Sequence, residues 1–484
     1  MTTQHSGPAR SSKRLFALMG TAILAGVACA DAGQPTDASD GAPRDADIPD
    51  VCAGSTCPDV TVDALLADTS DAPPTDSPAD APTDTATPDT LPADGCTPQP
   101  ESCNGVDDDC DGMIDEVADV DCAMHPGTAR IALGGSHTCG VRASGVVACW
   151  GNGGNGQLGL GMAVSMQTMP TDIPMLSGVA EVALGRFYSC ARRSAGDVWC
   201  WGSNMNGELG IGMSSLQSNV PVRVAGLNDA VQISANLDFA CAVRATREVV
   251  CWGTSMAIPF TDAMTGRSSA PSRVRGITDA VQVMTGERHV CVLTTRRRVR
   301  CFGDNGSGAL GDGSTVASAT PVEATGLIDA VEVAAGLGHS CARRSTGAVL
   351  CWGSNMNGQL GDGTMTNHAT PMAVPGVTDA VQLSAGTAFT CARRASGRVS
   401  CWGTNQTGEL GDGTTVLQRP SPSSVMNLTD ASFIAAAHGG LGAYHVCASR
   451  TGGAAVCWGS NGSGQLGDGS RTQSAVPVMV TGFP

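Results

Sequence analysis

Residues 341–363 read CARRSTGAVLCWGSNMNGQLGDG, and this stretch decides the fold because most of it recurs along the chain. Its cysteines, Cys341 and Cys351, are one of seven pairs with nine residues between the partners. The others are Cys139 with Cys149, Cys190 with Cys200, Cys241 with Cys251, Cys291 with Cys301, Cys391 with Cys401 and Cys447 with Cys457. The pairs are spaced about 50 residues apart through the last three quarters of the chain. A fixed period of that length marks a repeat architecture, in which each unit is one supersecondary block that cannot bury its apolar face alone. Seven units therefore make one domain.

Between the cysteines of a pair the residues alternate and then break at a turn, where Gly347 supplies the positive φ that a tight hairpin requires. The two cysteines then face each other across the hairpin. Directly opposed, non-hydrogen-bonded positions have Cα atoms roughly 4.5 to 5.5 Å apart, inside the range a disulfide bridges. Closing so small a loop contributes roughly 2.5 to 3 kcal/mol on the chain-entropy argument. Structural zinc sites favour about two to four residues between ligands and four ligands within reach, so the pairs read as disulfides.

The other strands follow from the spacing. Pro321-Val322 opens a short strand that ends near Gly326-Leu327, and residues 329–336, DAVEVAAG, form a second, alternating one; Cys341 begins a third and Cys351 a fourth. Four short strands per unit, with no helix-period stretch after the N-terminus, predict an all-β chain whose residues 128–484 form a seven-bladed β-propeller of four-stranded blades. The first unit starts near Thr128 and runs directly to Ile131-Ala132-Leu133-Gly134 without a Pro-Val strand. The last unit ends on a spare one, Pro477-Val478-Met479-Val480-Thr481-Gly482-Phe483. Pairing these two ends completes the seventh blade with the C-terminal strand and leaves no open edge.

The core Gly358-Gln359-Leu360-Gly361-Asp362-Gly363 resembles the signature of the regulator of chromosome condensation repeat family. Matching runs are Gly156-Gln157-Leu158-Gly159, Gly207-Glu208-Leu209-Gly210, Gly308-Ala309-Leu310-Gly311-Asp312-Gly313, Gly408-Glu409-Leu410-Gly411-Asp412-Gly413 and Gly464-Gln465-Leu466-Gly467-Asp468-Gly469. The resemblance covers about residues 128–484, with six of seven units in phase. The third unit departs: after Cys251-Trp252-Gly253 it runs Thr254-Ser255-Met256-Ala257-Ile258-Pro259-Phe260, which predicts an irregular connection and a place for a dedicated contact. The family includes a nuclear exchange factor for a small GTPase, interaction domains of larger eukaryotic proteins and a secreted bacterial inhibitor of β-lactamase. Fold does not select among them.

Localisation narrows the field. Arg10, Lys13 and Arg14 precede an apolar run over 15–30, so residues 1–30 read as a secretory signal peptide, too short for a membrane span. Cleavage falls before Cys29, leaving it lipid-modified, or after Ala30. Ala25-Gly26-Val27-Ala28 is an imperfect lipobox, because leucine is usual where Gly26 stands. The lipoprotein is the preferred reading because an acidic stalk follows at once. Residues 31–95, rich in Asp, Ala, Pro and Thr, cannot bury enough surface to offset ordering entropy and read as a disordered linker. Segment 31–128 holds 24 acidic residues against Arg44 alone, whereas 129–484 holds 24 arginines against 21 acidic residues. The ring is thus nearly neutral, which argues against a nucleic-acid partner. Either cleavage delivers the chain to an oxidising compartment, in keeping with the cysteine pairs.

Residues 96–127 are a cysteine-rich segment. Asp107, Asp109 and Asp111 at alternate positions, then Gly112 and Ile114, copy the first half of a calcium loop, whose hard oxygen ligands converge on one ion. The twelfth position is Ala118 where a bidentate Glu belongs, so Asp115 or Glu116 would substitute. Residues 101–116 also resemble a short metal-binding motif of bacterial surface proteins. The plainer alternative is an acidic linker braced by Cys103 with Cys110 and by Cys96 with Cys122. The pairing of these four cysteines is open among three connectivities, and Cys52 and Cys57 are likewise unassigned.

Several residues tempt a chemical reading. His137, His289, His339 and His445 all lie two positions before a cysteine, but Tyr188, Phe239 and Phe389 take that place elsewhere, which points to a packed blade position. Trp150, Trp201, Trp252, Trp352, Trp402 and Trp458, with Phe302 in the fourth unit, read as inter-blade packing, and the aspartates of the Gly-Asp-Gly turns as turn acceptors. Arg296, Arg297 and Arg298 replace the usual turn in the fourth hairpin, followed by Arg300. This tip is the candidate binding site for an anionic group. There is no Gly-x-Ser-x-Gly elbow, phosphate loop or His-Glu-x-x-His motif, so an enzyme is not expected.

The sequence thus predicts an exported monomer, a bacterial surface-displayed lipoprotein or a secreted or periplasmic protein. Its propeller would bind an extracellular or cell-surface protein through loops on one face, with calcium in the 107–116 loop and no cofactor in the ring. An inhibitor of another enzyme is one alternative. A hydrolase or lyase acting on extracellular polysaccharide is another, marked by convergent axial carboxylates where a protein partner would be marked by an exposed aromatic patch.

Overall fold

The computed structural model describes residues 131–254, 266–440 and 444–483. These residues form 28 strands in seven four-stranded sheets, with no helix among them. Each sheet is an antiparallel meander of four consecutive strands, A to D from the axis outward. In the fifth blade they are Ala330–Ala335, His339–Arg344, Val349–Gly353 and His368–Ala373. Strands B and C are buried almost throughout while D is half-exposed, so the alternating, cysteine-bearing segments occupy the middle of each blade. The signal peptide, Cys29, the stalk, the 107–116 loop and most of the third unit's irregular connection lie outside the described residues.

The hairpins match the reading of the cysteine spacing. Strand B places its cysteine directly opposite that of strand C in every blade. The disulfides join Cys139 to Cys149, Cys190 to Cys200, Cys241 to Cys251, Cys291 to Cys301, Cys341 to Cys351, Cys391 to Cys401 and Cys447 to Cys457. Their Cα atoms are 4.0 to 4.1 Å apart. That is somewhat closer than the spacing of an unbridged pair. In the turn, Gly347 has φ 81° and its N–H donates to the Arg344 carbonyl at 2.9 Å. In the third and fourth blades the same left-handed position is taken by Arg247 (φ 63°) and Arg297 (φ 58°). A side chain there costs about 1 to 2 kcal/mol relative to ordinary backbone.

Seven apolar clusters hold the ring, each filled by two neighbouring blades. Between the fifth and sixth, for example, Val349, Leu360 and Val374 pack against Leu383, Ala392 and Trp402. No blade has an apolar core of its own, which is why the units fold only as an array. The tryptophans add a polar catch. Trp402 Nε1 donates to the carbonyl of Gln359 in the preceding blade's Gly-x-Leu-Gly run at 2.9 Å, and Trp150, Trp201, Trp252, Trp352 and Trp458 do the same at 2.8 to 2.9 Å. The exception is Phe302, which follows the third blade, the one without that run.

Closure differs from expectation in one respect. The C-terminal strand Ser474–Met479 does complete the seventh blade, but it pairs with that blade's own strand Ala455–Gly459, and Ile131–Leu133 pairs within the first blade. Every blade is continuous in sequence, so the ring is shut by contacts between blades seven and one, where the Gly469 N–H donates to the Thr168 carbonyl at 3.0 Å and side chains pack around it. Phe483 packs on Trp150 with ring centroids 5.6 Å apart, Arg142 lies over the Phe483 ring at 5.4 Å, and Arg142 Nη1 donates to the Gly482 carbonyl at 2.9 Å. Gly140 gives the room: a Cβ there would lie 2.4 Å from Phe483.

Candidate interaction faces

The axis is lined by one side chain from the same place in six of the strands A: Glu181, Gln232, Gln282, Glu332, Gln382 and Phe433; the first blade's equivalent, Arg130, lies outside the described residues, and Ile131 lines the cavity one place further on. Five are polar, and each reaches into the next blade. Glu181 accepts from the Ile233 N–H at 3.1 Å, Gln232 from Val283 at 2.8 Å, Gln282 from Val333 at 2.9 Å, Glu332 from Leu383 at 2.9 Å and Gln382 from Ile434 at 2.9 Å. Where the residue is glutamate, an arginine directly across the hairpin compensates its charge: Arg192 Nε lies 3.0 Å from Glu181 and Arg343 Nε 2.8 Å from Glu332. The axial carboxylates are therefore engaged in holding blades together, and the remaining cavity is only about 140 Å³. The convergent acid–base pair that a polysaccharide-cleaving site requires is not formed by these two groups.

One end of the channel carries a further carboxyl. Glu287, on the fourth blade's A–B loop, accepts from the Gly440 N–H at 3.1 Å, and burial pushes its carboxyl up to about 7 against the pull of Arg186 and Arg288. His438, partly buried against the axial cavity, is pushed down to about 4 by burial. Among the described residues no group of three or more His, Cys, Asp or Glu side chains is placed to hold a metal ion.

The four histidines are packed residues, as their exchange with aromatics predicted. His137, His289, His339 and His445 are buried, and each Nε2 meets a hydroxyl of the following blade at 2.8 to 3.0 Å: Ser189, Ser340, Thr390 and Thr138. Each hydroxyl donates its own proton to the carbonyl of a Gly-x-Leu-Gly run, at 2.9 to 3.0 Å. The hydroxyl therefore accepts from the imidazole, which fixes the proton on Nε2 and keeps the ring neutral. Burial accordingly holds His137, His339 and His445 down at about 3 and His289 at about 4.

The topology also sorts charge by face, which composition did not reveal. The B–C hairpins and D–A connections leave one face, and the A–B loops and C–D connections leave the other. Counting terminal strand residues with their connections, the hairpin face carries fourteen arginines against nine carboxylates. The loop face carries four against nine among the described residues. A ring that is neutral in sum thus presents a basic side and an acidic side. Exposed large apolar side chains are mostly methionines, with Met162, Met205, Met213, Met356 and Met365 on the C–D connections; Phe187, capped by Arg186 at 4.8 Å, is the exposed aromatic among the described residues. The aromatic patch expected of a protein-binding face is therefore not present among them.

The hairpin face follows a rule that the fourth blade breaks. The first arginine of the hairpin pairs with an aspartate before strand A in Arg244–Asp229 (2.9 Å), Arg344–Asp329 (2.8 Å), Arg394–Asp379 and Arg450–Asp430 (2.9 Å). In the first and second blades that arginine pairs instead with Asp172 and Asp197, at 2.7 Å each. In the fourth blade Thr294 stands in place of the arginine, and Asp279 lines a cavity of about 200 Å³ with Thr294, Arg296, Arg298, Arg300 and Glu323. Arg298 pairs with Glu323 at 3.2 Å and Arg300 donates to the Gly276 carbonyl at 3.3 Å. The side chains of Arg296 and Arg297 are exposed and without a partner among the described residues. The structure thus brings together Arg296, Arg298 and Arg300, which the sequence singled out. It adds Asp279 and Glu323, which no local pattern marked.

With this geometry the chain is recognised as a repeat propeller of known type. Two models of the regulator of chromosome condensation (RCC1) repeat match it, one over 144–192, 195–243, 298–343, 346–393 and 396–449, the other over 129–157, 179–208, 280–309, 330–359 and 380–409. The chain belongs to the RCC1 repeat family. The first model passes over 244–297, which contains the connection lacking Gly-Leu-Gly. Among curated proteins it is similar to the mitochondrial RCC1 domain-containing protein RUG3 of Arabidopsis thaliana, 35% identical over 21% of this chain and 23% of that one. It is also similar to the probable E3 ubiquitin-protein ligase HERC6 of Homo sapiens, 31% identical over 28% and 14%. The match spans less than a quarter of either relative, and neither is bacterial, so the bacterial attribution gains nothing from them. Among solved structures, yeast RCC1 (Prp20) bound to Kap60 superposes with a TM-score of 0.62 at 20% identity, covering 74% of this chain and 85% of that one. Human WBSCR16 gives 0.62 at 20%, covering 69% and 94%. At that identity they establish the fold alone.

Proposed function

We propose that the ring is an exported, non-catalytic recognition module that holds a protein partner on its hairpin face. One observation carries this reading: blade four alone lacks the hairpin-base ion pair, and there it presents Arg296 and Arg297, unpartnered among the described residues, beside an open cavity. Seven disulfides support an oxidising compartment, and with it the signal peptide over 1–30, a lipid on Cys29 and display on an outer surface. Calcium in the 107–116 loop, held by Asp107, Asp109, Asp111 and Asp115 or Glu116, belongs to the same reading, and terbium luminescence titrated with calcium checks it. The structural relative Prp20p of Saccharomyces cerevisiae has binding properties toward Gsp1p and histones, which is a precedent for protein partners on this fold and not a statement of this one's.

The test is a cross-linking pull-down with the oxidised, exported chain as bait against the cell-surface and secreted proteins of its source. Recovery of one dominant protein whose cross-links map to the hairpin turns is the expected result. Recovery of glycan, or cross-links confined to the loop face, removes this proposal.

A further inference from the structure

Resting on that reading, we propose that the cavity at the fourth hairpin is an anion site that takes side-chain carboxylates of the partner, so that the partner docks through an acidic segment. The lining balances as follows. Arg298 and Glu323 cancel each other at 3.2 Å, which leaves Arg296 and Arg300 of the lining against the one carboxylate of Asp279, with Arg297 exposed on the adjoining turn outside the lining. Guanidinium groups present paired N–H donors that match a carboxylate edge to edge, which ammonium groups do not. A cavity of about 200 Å³ admits an aspartate or glutamate side chain with water, and excludes anything the size of a folded loop.

The backbone supplies a second, independent argument. In five blades the left-handed turn position is glycine: Gly145, Gly196, Gly347, Gly397 and Gly453. Arg297 adopts φ 58° there, although glycine would sit unstrained. The ring uses only the backbone of that arginine, whose carbonyl accepts from the Ala330 N–H at 3.1 Å, while its side chain is exposed. Strain retained without structural return marks a residue kept for what it meets outside the molecule. The rest of the face adds long-range attraction, with its excess of arginines drawing an acidic segment toward the pocket.

The experiment is fluorescence anisotropy of a fluorescein-labelled hexa-aspartate peptide with the oxidised full chain, with hexa-lysine and inorganic phosphate as comparisons. The double variant Arg296→Ala with Arg297→Gly should weaken hexa-aspartate binding at least tenfold. Arg398→Ala, which removes an exposed arginine from the same face two blades away, should change it less than twofold. Thermal melting separates folding from binding, because Arg297→Gly relieves a strained turn and should raise the melting temperature while binding falls. Equal losses in the double variant and Arg398→Ala overturn the site in favour of a diffuse basic face. Equal binding of hexa-lysine, absence of hexa-aspartate binding, or displacement by phosphate at equal concentration overturns the carboxylate assignment. A pull-down partner bound on the hairpin face but unaffected by the double variant sinks this inference and leaves the recognition reading standing.

Discussion

At the residue scale the ring runs on a pairing rule between blades. Histidine before the first cysteine is followed, one blade on, by Ser or Thr: His137 with Ser189, His289 with Ser340, His339 with Thr390, His445 with Thr138. Where the position is aromatic, the next blade has Ala240, Val290 or Val446 after Tyr188, Phe239 and Phe389 respectively. The hydroxyl is present where there is an imidazole N–H to accept and absent where there is none. Thr390→Val should therefore cost about 1 to 3 kcal/mol by stranding the His339 Nε2–H. Adding His339→Phe should recover most of it, because the double variant reproduces Phe389 with Val446; urea melts of the two single variants and the double variant measure the coupling. This pairing was present in the sequence as a covariation between residues 51 to 52 apart along three of its links. It was not legible from a single unit, because the partners never share one.

At the element scale the axial side chains show how a hairpin repeat becomes an interface. Gln382 holds both backbone groups of Ile434, donating to its carbonyl at 3.0 Å and accepting from its N–H at 2.9 Å. Gln382→Ala should cost about 2 kcal/mol and raise hydrogen exchange at Ile434 before other strand A amides of the seventh blade. The alternation of strand A was readable, and with it the inward-facing position. The use of that position was not, because Glu332 followed by Arg343 eleven residues later looks like any charged pair until the hairpin sets them side by side. The disulfide pairing within each hairpin, by contrast, was fixed by spacing alone, since two strands and a turn of that length leave the cysteines one partner each.

At the scale of the whole molecule, closure and titration are collective. Phe483 is the last buried apolar residue of the described chain and the joint between its two ends, so Phe483→Ala should cost about 3 to 5 kcal/mol and broaden the thermal transition by loosening blades seven and one. Acid should act through the buried histidines. Their folded values of about 3 to 4 lie below the ordinary 6.5, so the unfolded chain binds more protons in between. Their stabilisation is complete above pH 6.5 and falls as pH drops toward 4, by up to about 1.4 kcal/mol per pH unit for each histidine. Glu287 acts in the opposite sense, with a raised folded value that stabilises below 4.5 and is lost as pH rises through about 7, and burial raises Glu208, Asp238 and Glu409 in the same sense; Asp197, Asp362 and Asp412, held low against burial by their hydrogen bonds, act with the five histidines. Denaturant midpoints measured from about pH 7.5 to 4 should fall steeply and monotonically once the histidines begin to titrate in the unfolded chain; a flat profile would contradict the buried neutral imidazoles.

The chain by itself determined the number of blades, the strand order within each and every disulfide of the ring, because those depend on period, alternation and turn chemistry inside one unit. Only the tertiary structure decided how the ring shuts, what the axial polar residues hold and that Arg296 and Arg297 are left without partners among the described residues. Closing a ring sets residues from different units against one another, and separates charges that are mixed along the chain onto two faces by the direction in which each strand runs.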